Sequence, residues 1–445
     1  MPTMNAKKLG KRCPRTAEIL QRLIQFDTTN PPGNEAPCIA YIDDLLSQWG
    51  LATNIVARDL GRPNIIARLS GRGLAPPLML YGHVDVVSTR EQVWDHPPFG
   101  GHIVDGFVWG RGALDMKGGL AMMLAALLRS QKENKNPPGD ILFVVVSDEE
   151  MGGDYGSKYL VENHAAQFEG IRYAIGEFGG FTLHIENRRF YPIMVAEKQR
   201  CWMKATLHGP GGHGAMPVRN GAMAKLARLL HSLDRRRLPV HVTPVAEKMF
   251  GTLASALGGW KGRLMAQLLN PSLTNSILSL MGERGRLFDP LLHNTVSATV
   301  LHGSQQINII PSEIAVELDG RLLPGFGPED MVSELRPIVG PDVKLELIRF
   351  DPGPTVPDWG MWDVLLGVLR DHDAEGIPVP MLLSGVTDAQ YYSRLGIQTY
   401  GFLPMQLPES LNFSEAIHGA NERIPVASLD FGAEAIYDLI HRAPN

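Results

Sequence analysis

The chain has few cysteines, little net charge and no long apolar run, and each shortage excludes a class of protein. Its 445 residues contain three cysteines, Cys13, Cys38 and Cys201, without a CxxC spacing. Neither a disulfide framework nor a thiolate zinc site is supported, and a reducing, cytoplasmic setting is expected. The formal net charge of −5 gives no electrostatic case for a nucleic-acid partner. The longest apolar stretch near the centre, 120–128, is far shorter than the roughly 20 residues that a membrane span needs.

Basic side chains cluster near the start of the chain. They are Lys7, Lys8, Lys11, Arg12 and Arg15, and no apolar core of a signal peptide follows them. A solvated tail is the favoured interpretation, and a targeting segment is the alternative.

The first half of the chain alternates between strand-like and helix-like segments. Short apolar runs lie at 64–69, 78–81, 141–146 and 173–175, and helical stretches lie at 118–130 and 156–164. This alternation predicts an α/β domain with a mixed, largely parallel sheet covered by helices. Such sheets present ligands at the carboxyl ends of their strands.

The pattern changes near residue 198. A strand-like run at 199–207 leads into a glycine-rich loop at 209–214 and a helix at 222–233; helix-rich sequence at 244–292 precedes strand-like runs at 295–301 and 314–318. We expect an inserted α+β domain at 198–321. The first domain is then built from two parts, 1–197 and 322–445.

Side chains suited to metal ligation follow several of the apolar runs. His83, Glu149, Glu150 and Glu177 each stand just after one, where a largely parallel sheet would present them. Asp85 is two residues after His83 and points to the same face in extended chain, so it can accept the second N–H of a metal-bound imidazole. Taken alone, this spacing is more often a polar strand end.

The other candidates also have ordinary alternatives. Asp115 precedes a predicted helix, where an N-cap is a common role for aspartate. The acids at 148–150 repel one another unless cations neutralise them, although a solvated acidic turn is common. Consecutive strand residues point opposite ways, so one of Glu149 and Glu150 ligates and the other stays free. His418 alone would be an ordinary loop histidine. Together, two histidines and three carboxylates can hold two divalent ions, with a spare carboxylate beside them, which favours a two-metal hydrolase.

A series of motifs in a fixed order makes the prediction specific. They are Gly82-His83-Val84-Asp85, Gly110-Arg111-Gly112 with Asp115-Met116-Lys117-Gly118, Asp148-Glu149-Glu150, Gly211-Gly212-His213-Gly214, Asn308-Ile309-Ile310-Pro311, Asp319-Gly320-Arg321, Ser384-Gly385-Val386-Thr387-Asp388 and the late His418. Over roughly residues 15–440 the chain resembles the dizinc family of aminoacylase, acetylornithine deacetylase, succinyl-diaminopimelate desuccinylase and carboxypeptidase. The long segment 244–292 resembles the carboxypeptidase-S-like branch. Its leucines and methionines could widen an apolar acyl pocket, but core or interface packing is the favoured role.

The resemblance implies a role for each candidate residue. His83 and Glu177 would bind one Zn²⁺, and His418 and Glu150 the other, with Co²⁺ or Mn²⁺ as possible substitutes. Asp115 would bridge the two ions, on a peptide bond to Met116 that the family often holds cis. Asp85 would orient His83, and Glu149 would be the general base. The implied reaction is hydrolysis of an amide or peptide bond in an N-acyl amino acid or short peptide with a free carboxylate, through a water that bridges the ions.

The inserted domain would act as a lid and as a dimerisation domain, so a homodimer is expected. In this family a histidine of that domain, His213 here, donates to the oxyanion, although it could also be a simple loop histidine. Asn308, Arg321 and Thr387 would hold the substrate, with Arg321 on its carboxylate; a structural ion pair with an acid of the lid is the alternative for Arg321.

Two other functions compete with this one. One is a catalytically silent metal-binding scaffold of the same fold, which would be marked by loss of the base, whereas Glu149 is present. The other is a two-metal enzyme acting on phosphate esters, but no glycine-rich phosphate loop of the P-loop type occurs. A small-molecule or short-peptide substrate, without nucleic acid or membrane, is therefore expected.

Overall fold

The computed structural model describes residues 12–443, so most of the predicted basic tail lies outside the described residues. The chain forms two units. The first comprises the residues up to Val195, 358–381 and those from Thr387 onward; the second comprises Ala196–Pro357 and Leu382–Val386.

The strands of the first unit form two sheets, a mixed main sheet with a parallel centre and a separate sheet of three short strands. The strands of both sheets are β1 (Ala52–Val56), β2 (Asn64–Leu69), β3 (Leu78–His83), β4 (His102–Val104), β5 (Phe107–Trp109), β6 (Ile141–Val146), β7 (Tyr173–Gly176), β8 (Leu183–Ile185), β9 (Arg188–Glu197), β16 (Ile377–Leu383), β17 (Gln398–Gly401) and β18 (Arg423–Pro425). The order in the main sheet is β1-β2-β6-β3-β7-β17-β9-β16, with β8 paired to β9. The neighbours β6, β3, β7 and β17 run parallel. All six residues of β6 are buried, which is why this strand reads as a continuous apolar run.

Helices cover both faces of this sheet. They are α1 (Thr16–Ile24), α2 (Ala36–Gln48), α3 (Lys117–Glu133), α4 (Ser157–Asn163), α11 (Trp362–His372), α12 (Ala389–Tyr392), α13 (Phe413–Ala416) and α14 (Val426–Ile440). On one face, Tyr81 packs in a core with Leu160 of α4 and Tyr392 of α12. On the other, a Cβ added to Gly82 would lie 2.3 Å from the Met116 side chain. Glycine at this position therefore lets the segment before α3 approach the end of β3 closely.

The second unit is built on an antiparallel sheet with order β12-β14-β10-β15 and a short ribbon of β11 and β13. Its elements are β10 (Gln199–His208), β11 (Gly212–His213), α5 (Ala222–Arg235), α6 (Pro244–Leu257), α7 (Gly259–Gln267), α8 (Pro271–Leu280), α9 (Glu283–Leu292), β12 (Thr295–His302), β13 (Ile309–Ile310), β14 (Glu313–Leu322), α10 (Pro328–Val339) and β15 (Lys344–Asp351). Leu226 and Leu229 of α5 and Leu335 of α10 pack on this sheet.

The second unit extends beyond the predicted boundary at 321. Strand β15 pairs with β10 along most of its length, and α10 shares the core of the same sheet. The segment 322–357 therefore belongs with the second unit, and the expected end at 321 requires this correction. The functional assignment of this unit as a lid and dimerisation domain stays a prediction.

Among the residues that the structure describes, no helix is both long and apolar enough to cross a membrane. The cytoplasmic location and the homodimer stay predictions.

Candidate metal centre

Three neighbouring parallel strands end at one place and carry four of the predicted residues. His83 is the last residue of β3, the turn with Glu149 and Glu150 follows β6, and Glu177 follows β7. Because β3 lies between β6 and β7, the carboxyl ends of these strands bring the four side chains together, as the sequence predicts.

Asp115 lies between two histidines that are far apart in the chain. Its Oδ1 is 3.3 Å from Nε2 of His83, and its Oδ2 is 3.1 Å from Nε2 of His418. The peptide bond between Asp115 and Met116 is cis, which confirms that expectation. Helix α3 begins at Lys117 without a side-chain cap, so the capping alternative for Asp115 does not hold.

The remaining carboxylates complete one group around each histidine. Nε2 of His83 is 3.3 Å from Oε2 of Glu177 and 3.9 Å from Oε2 of Glu149. Nε2 of His418 is 3.4 Å from Oε1 of Glu150. Two sets of donor atoms result, His83 with Glu149 and Glu177, and Asp115 with Glu150 and His418. Within each set the donor atoms lie within 4.8 Å of one another. On distance alone, Glu149 could also be a ligand in the first set.

Asp85 contacts the ring of His83 and the turn after β6. Nδ1 of His83 is 3.0 Å from the Asp85 carbonyl oxygen and 3.4 Å from its Oδ1. The Asp85 carboxylate also accepts the backbone N–H groups of Glu149 and Glu150, each at 3.1 Å. This position suits the predicted orienting role, because a ligating imidazole is held by a partner on its other nitrogen.

Burial and crowding of like charges shift the pKa values of this cluster. Burial raises the pKa of Glu149 well above its usual range, and the charge of Glu177 adds to that effect. Burial likewise raises the pKa of Glu177 to about 8, against the hydrogen bond with His83. Hydrogen bonds to Asp115 and Glu150 raise the pKa of His418 to about 10. The cluster without metal therefore has a raised affinity for protons, and metal binding would displace them.

The donor set fits two divalent cations. Imidazole nitrogens and carboxylate oxygens are the ligands that zinc takes in catalytic sites. Oε1 of Glu150 is buried, and Nε2 of His418 approaches it only to 3.4 Å, without the geometry of a good hydrogen bond. Such a poorly satisfied acceptor is costly unless a cation reaches it. His418 keeps 49% of its side chain exposed, so the cluster is open to solvent on that side.

The predicted lid residues lie in the second unit. His213 pairs with Ile309 in the ribbon of β11 and β13, and the backbone N–H of Gly214 donates to the carbonyl of Asn308 at 2.8 Å. The structure therefore places His213, at the end of β11, close to Asn308, which directly precedes β13. The His213 ring accepts the N–H of Ala215 at 3.1 Å.

The two other predicted substrate contacts are already engaged within the chain. Arg321, on β14, donates from Nε and Nη2 to the two carboxylate oxygens of Asp319 at 2.7 and 3.1 Å. The ion-pair alternative for Arg321 is thus present, and its substrate role stays a prediction. Thr387 is fully buried, and its hydroxyl accepts the backbone N–H of Ala389 at 3.1 Å.

Sequence reasoning missed two residues that form hydrogen bonds with the predicted site residues or their neighbours. Asn30 donates from Nδ2 to Asp85 and to Asp148, and Glu422 contacts the loop before Asp115. A hydrogen bond between residues so distant in the chain leaves no local pattern. The only available signal was the nearness of Glu422 to His418 in a motif.

Histidines and carboxylates in two adjoining groups, at the carboxyl edge of an α/β sheet, define a metal-dependent hydrolase. Residues 79–442 match Peptidase family M20/M25/M40, and the chain belongs to this family. The predicted family, fold class and hydrolase activity are thereby confirmed.

Related proteins agree with this assignment. The chain is 27% identical over 382 residues to the probable carboxypeptidase S-like 2 of Dictyostelium discoideum, covering 82% of this chain and 71% of that protein. It is 27% identical over 385 residues to the N-fatty-acyl-amino acid synthase/hydrolase PM20D1 of Mus musculus, covering 82% and 74%.

Solved structures show the same fold. The metallo-carboxypeptidase Sso-CP2 of Sulfolobus solfataricus aligns with a TM-score of 0.69 at 15% identity, over 96% of this chain and 99% of that one. A dinuclear metal binding peptidase of Bacillus subtilis aligns with a TM-score of 0.59 at 12% identity, over 96% of each chain.

Proposed function

We propose that this protein uses two divalent ions, Zn²⁺ by preference, to hydrolyse a C–N amide bond in an N-acyl amino acid or short peptide that bears a free carboxylate. The observation that carries the proposal is Asp115, which offers one carboxylate oxygen to His83 and the other to His418 at 3.3 and 3.1 Å. A carboxylate so placed can serve two ions at once. The name of the Bacillus subtilis structure, a dinuclear metal binding peptidase, supports the same count.

In this proposal His83 and Glu177 would hold one ion, Glu150 and His418 would hold the other, and Asp115 would serve both. The three ligand carboxylates would offset three of the four positive charges. Ions bound there would act as Lewis acids on the acyl carbonyl and would lower the pKa of water.

Glu149 is the proposed general base. Its backbone N–H donates to the Asp85 carboxylate at 3.1 Å, which fixes its position, and 16% of its side chain is exposed. Glu149 accepts a proton as the oxygen of water attacks the acyl carbon. It then returns that proton to the amine nitrogen as the C–N bond breaks. The high proton affinity that burial gives this carboxyl suits a group that must hold a proton between the two steps.

The second unit supplies the proposed substrate contacts. His213 would donate to the oxyanion that forms at the former carbonyl oxygen, and Asn308 lies beside it on the ribbon. Arg321 donates to Asp319 from Nε and Nη2, and Nη1 takes no part in that pair. The Nη1 side of the guanidinium would bind the free carboxylate of the substrate. Thr387 is buried, so it would affect substrate binding indirectly, by fixing the backbone at Ala389.

A substrate panel tests the proposal. Purified protein loaded with Zn²⁺ is given N-acetyl amino acids, long-chain N-acyl amino acids and dipeptides, each with a free or an amidated carboxylate, and an aryl phosphate. The names of the relatives, which include carboxypeptidase S-like and fatty-acyl-amino acid hydrolase, are the reason for both the peptide and the long-chain arms. We expect cleavage of a C–N bond in one class of free acids. Hydrolysis of the aryl phosphate alone would overturn the proposal.

A further inference from the structure

Glu422 is a fully buried carboxylate that contacts the loop carrying Asp115. Its Oε1 accepts the backbone N–H groups of Leu114 and Asp115 at 2.7 and 3.1 Å. Its Oε2 accepts the backbone N–H of Gly112 at 3.0 Å and Nη1 of Arg111 at 2.7 Å. One side chain thus satisfies three N–H groups of a single loop, and the charge of Arg111 offsets the cost of burying it.

Arg111 extends this contact to the second histidine. It is 1% exposed, and its Nη2 donates to the carbonyl oxygen of His418 at 3.2 Å and to Oε1 of Gln92 at 2.8 Å. Nε2 of Gln92 donates to the same His418 carbonyl at 2.8 Å. Two donors from different segments therefore converge on one backbone oxygen.

The backbone of His418 is in a conformation that needs such support. Its φ is +59°, in the left-handed region that a residue other than glycine adopts at a cost. The donors on its carbonyl hold this conformation and thereby direct the imidazole towards Asp115. Glu422, four residues along the chain, binds the loop of Asp115 directly and reaches the carbonyl oxygen of His418 through Arg111.

We propose that Glu422 is a positioning residue that holds Asp115 and His418 in one arrangement through Arg111, and that it sets the metal affinity of the group formed by Asp115, Glu150 and His418. This inference rests on the proposed two-ion centre. Glu422 is not itself a proposed ligand; its role is to position two residues that are.

The group around His83 has separate support. Asp85 holds His83 and the turn after β6, and Asn30 ties Asp85 to Asp148. Arg62 pairs with Asp148 at 3.0 Å and with the buried Glu35 at 2.6 Å. Loss of Glu422 should therefore weaken one ion far more than the other.

Cobalt titration of the metal-free protein tests this inference, with Co²⁺ alone as the probe and two readouts, visible absorption and metal content after dialysis. For the wild type we expect uptake of two ions per chain. In Glu422→Gln an amide nitrogen replaces one acceptor, and the affinity for one ion should fall by about 10- to 100-fold, the range found for residues that support metal ligands. The other ion should be retained within about threefold.

Variants of the ligands identify which ion is lost. The spectrum of Glu422→Gln with one ion bound should match that of Glu150→Ala, which lacks a ligand of the affected group, and should differ from that of His83→Ala. Asp351→Asn is the matched control, because Asp351 is also a buried carboxylate that pairs with an arginine, Arg200, and both lie in the second unit. It should keep both ions at wild-type affinity even where its melting temperature falls.

The partly exposed Gln92 provides a second test that does not depend on burying an altered charge. Gln92→Ala should weaken the same ion, by less than Glu422→Gln. Two ions at unchanged affinity in folded Glu422→Gln and Gln92→Ala, or equal weakening in Asp351→Asn, would overturn the positioning role alone. A wild type that binds fewer than two Co²⁺ would instead overturn the proposed metal centre.

Discussion

The carboxylate of Asp85 accepts a hydrogen bond from the backbone N–H of Glu150 at 3.1 Å. The same carboxylate accepts the N–H of Glu149 and lies 3.4 Å from the ring of His83. The fully buried side chain of Asp85 thus contacts His83 and Glu150, which are proposed ligands of different ions. It also contacts Glu149, the proposed base. The sequence suggested only that Asp85 orients His83, and the structure adds the turn after β6 to its contacts.

Replacement of Glu149 separates its role as a base from a role as a ligand. We expect Glu149→Ala to keep both metals and to lose about 10²- to 10⁴-fold in kcat, the usual contribution of a general base. Metal analysis and steady-state kinetics on the same preparation check this. Because Glu149 lies within ligand distance of His83 and Glu177, loss of one metal from this variant would make Glu149 a ligand instead.

Replacement of His213 tests the contribution of the ribbon. We expect His213→Ala to lower kcat by about 10²-fold or more, as removal of an oxyanion donor does, and to leave the metal content unchanged. His208→Ala is the control, because His208 is another exposed histidine of the same unit, with its partner Glu313 at 3.6 Å. Equal kcat values for the two variants would remove His213 from the site.

Arg321 is tested with paired substrates. If its free guanidinium edge binds the substrate carboxylate, Arg321→Met should lower kcat/KM for the free acid by about 10- to 100-fold, the range of a charge-assisted hydrogen bond. The amidated substrate should be cleaved equally poorly by both proteins. Since Arg321 also pairs with Asp319, the melting temperature must be compared too. If Arg321→Met lowers the melting temperature but leaves the ratio of kcat/KM for free acid and amide unchanged, Arg321 has only a structural role in its ion pair with Asp319.

Lys198 predicts a pH dependence of stability in the second unit. Burial lowers its pKa from about 10.5 to about 7, and its Nζ donates to the His293 carbonyl and to Oγ1 of Thr295 at 2.9 and 2.8 Å. Between these pKa values the unfolded chain binds more protons than the folded chain, so the free energy of unfolding rises with pH, by about 5 kcal/mol at most.

Thermal melting of Lys198→Met and wild type at several pH values checks the sign. The melting temperature of the wild type, relative to the variant, should rise between pH 7 and pH 10. Lys204→Met, on the same strand but partly exposed, should show no such trend. A difference between wild type and Lys198→Met that does not vary with pH would contradict the prediction.

Much of the first unit could be predicted because its central strands are buried along their length. A strand such as β6, apolar at every position, stands out in the sequence, and the residues after it are then placed by the rule for parallel sheets. The motifs added Asp115 and His418, for which the strand pattern gives no strong signal.

The parts that could not be predicted depend on contacts between distant segments. The pairing of β15 with β10 joins residues more than a hundred positions apart, so the boundary at 321 was placed too early. The contact of Glu422 with Arg111 spans 311 positions, and no periodicity records it. Strands of two residues such as β11 and β13 are too short for any alternation to appear.

Titration of the metal-free protein with Zn²⁺, with bound metal and hydrolysis measured in the same samples, tests the two-ion proposal most directly. The substrate is the best free acid of the panel. We expect no turnover after chelation, restored turnover on addition of Zn²⁺, and bound metal that saturates at two ions per chain. Undiminished turnover in the metal-free protein, or full turnover at saturation with a single ion, would contradict the proposal.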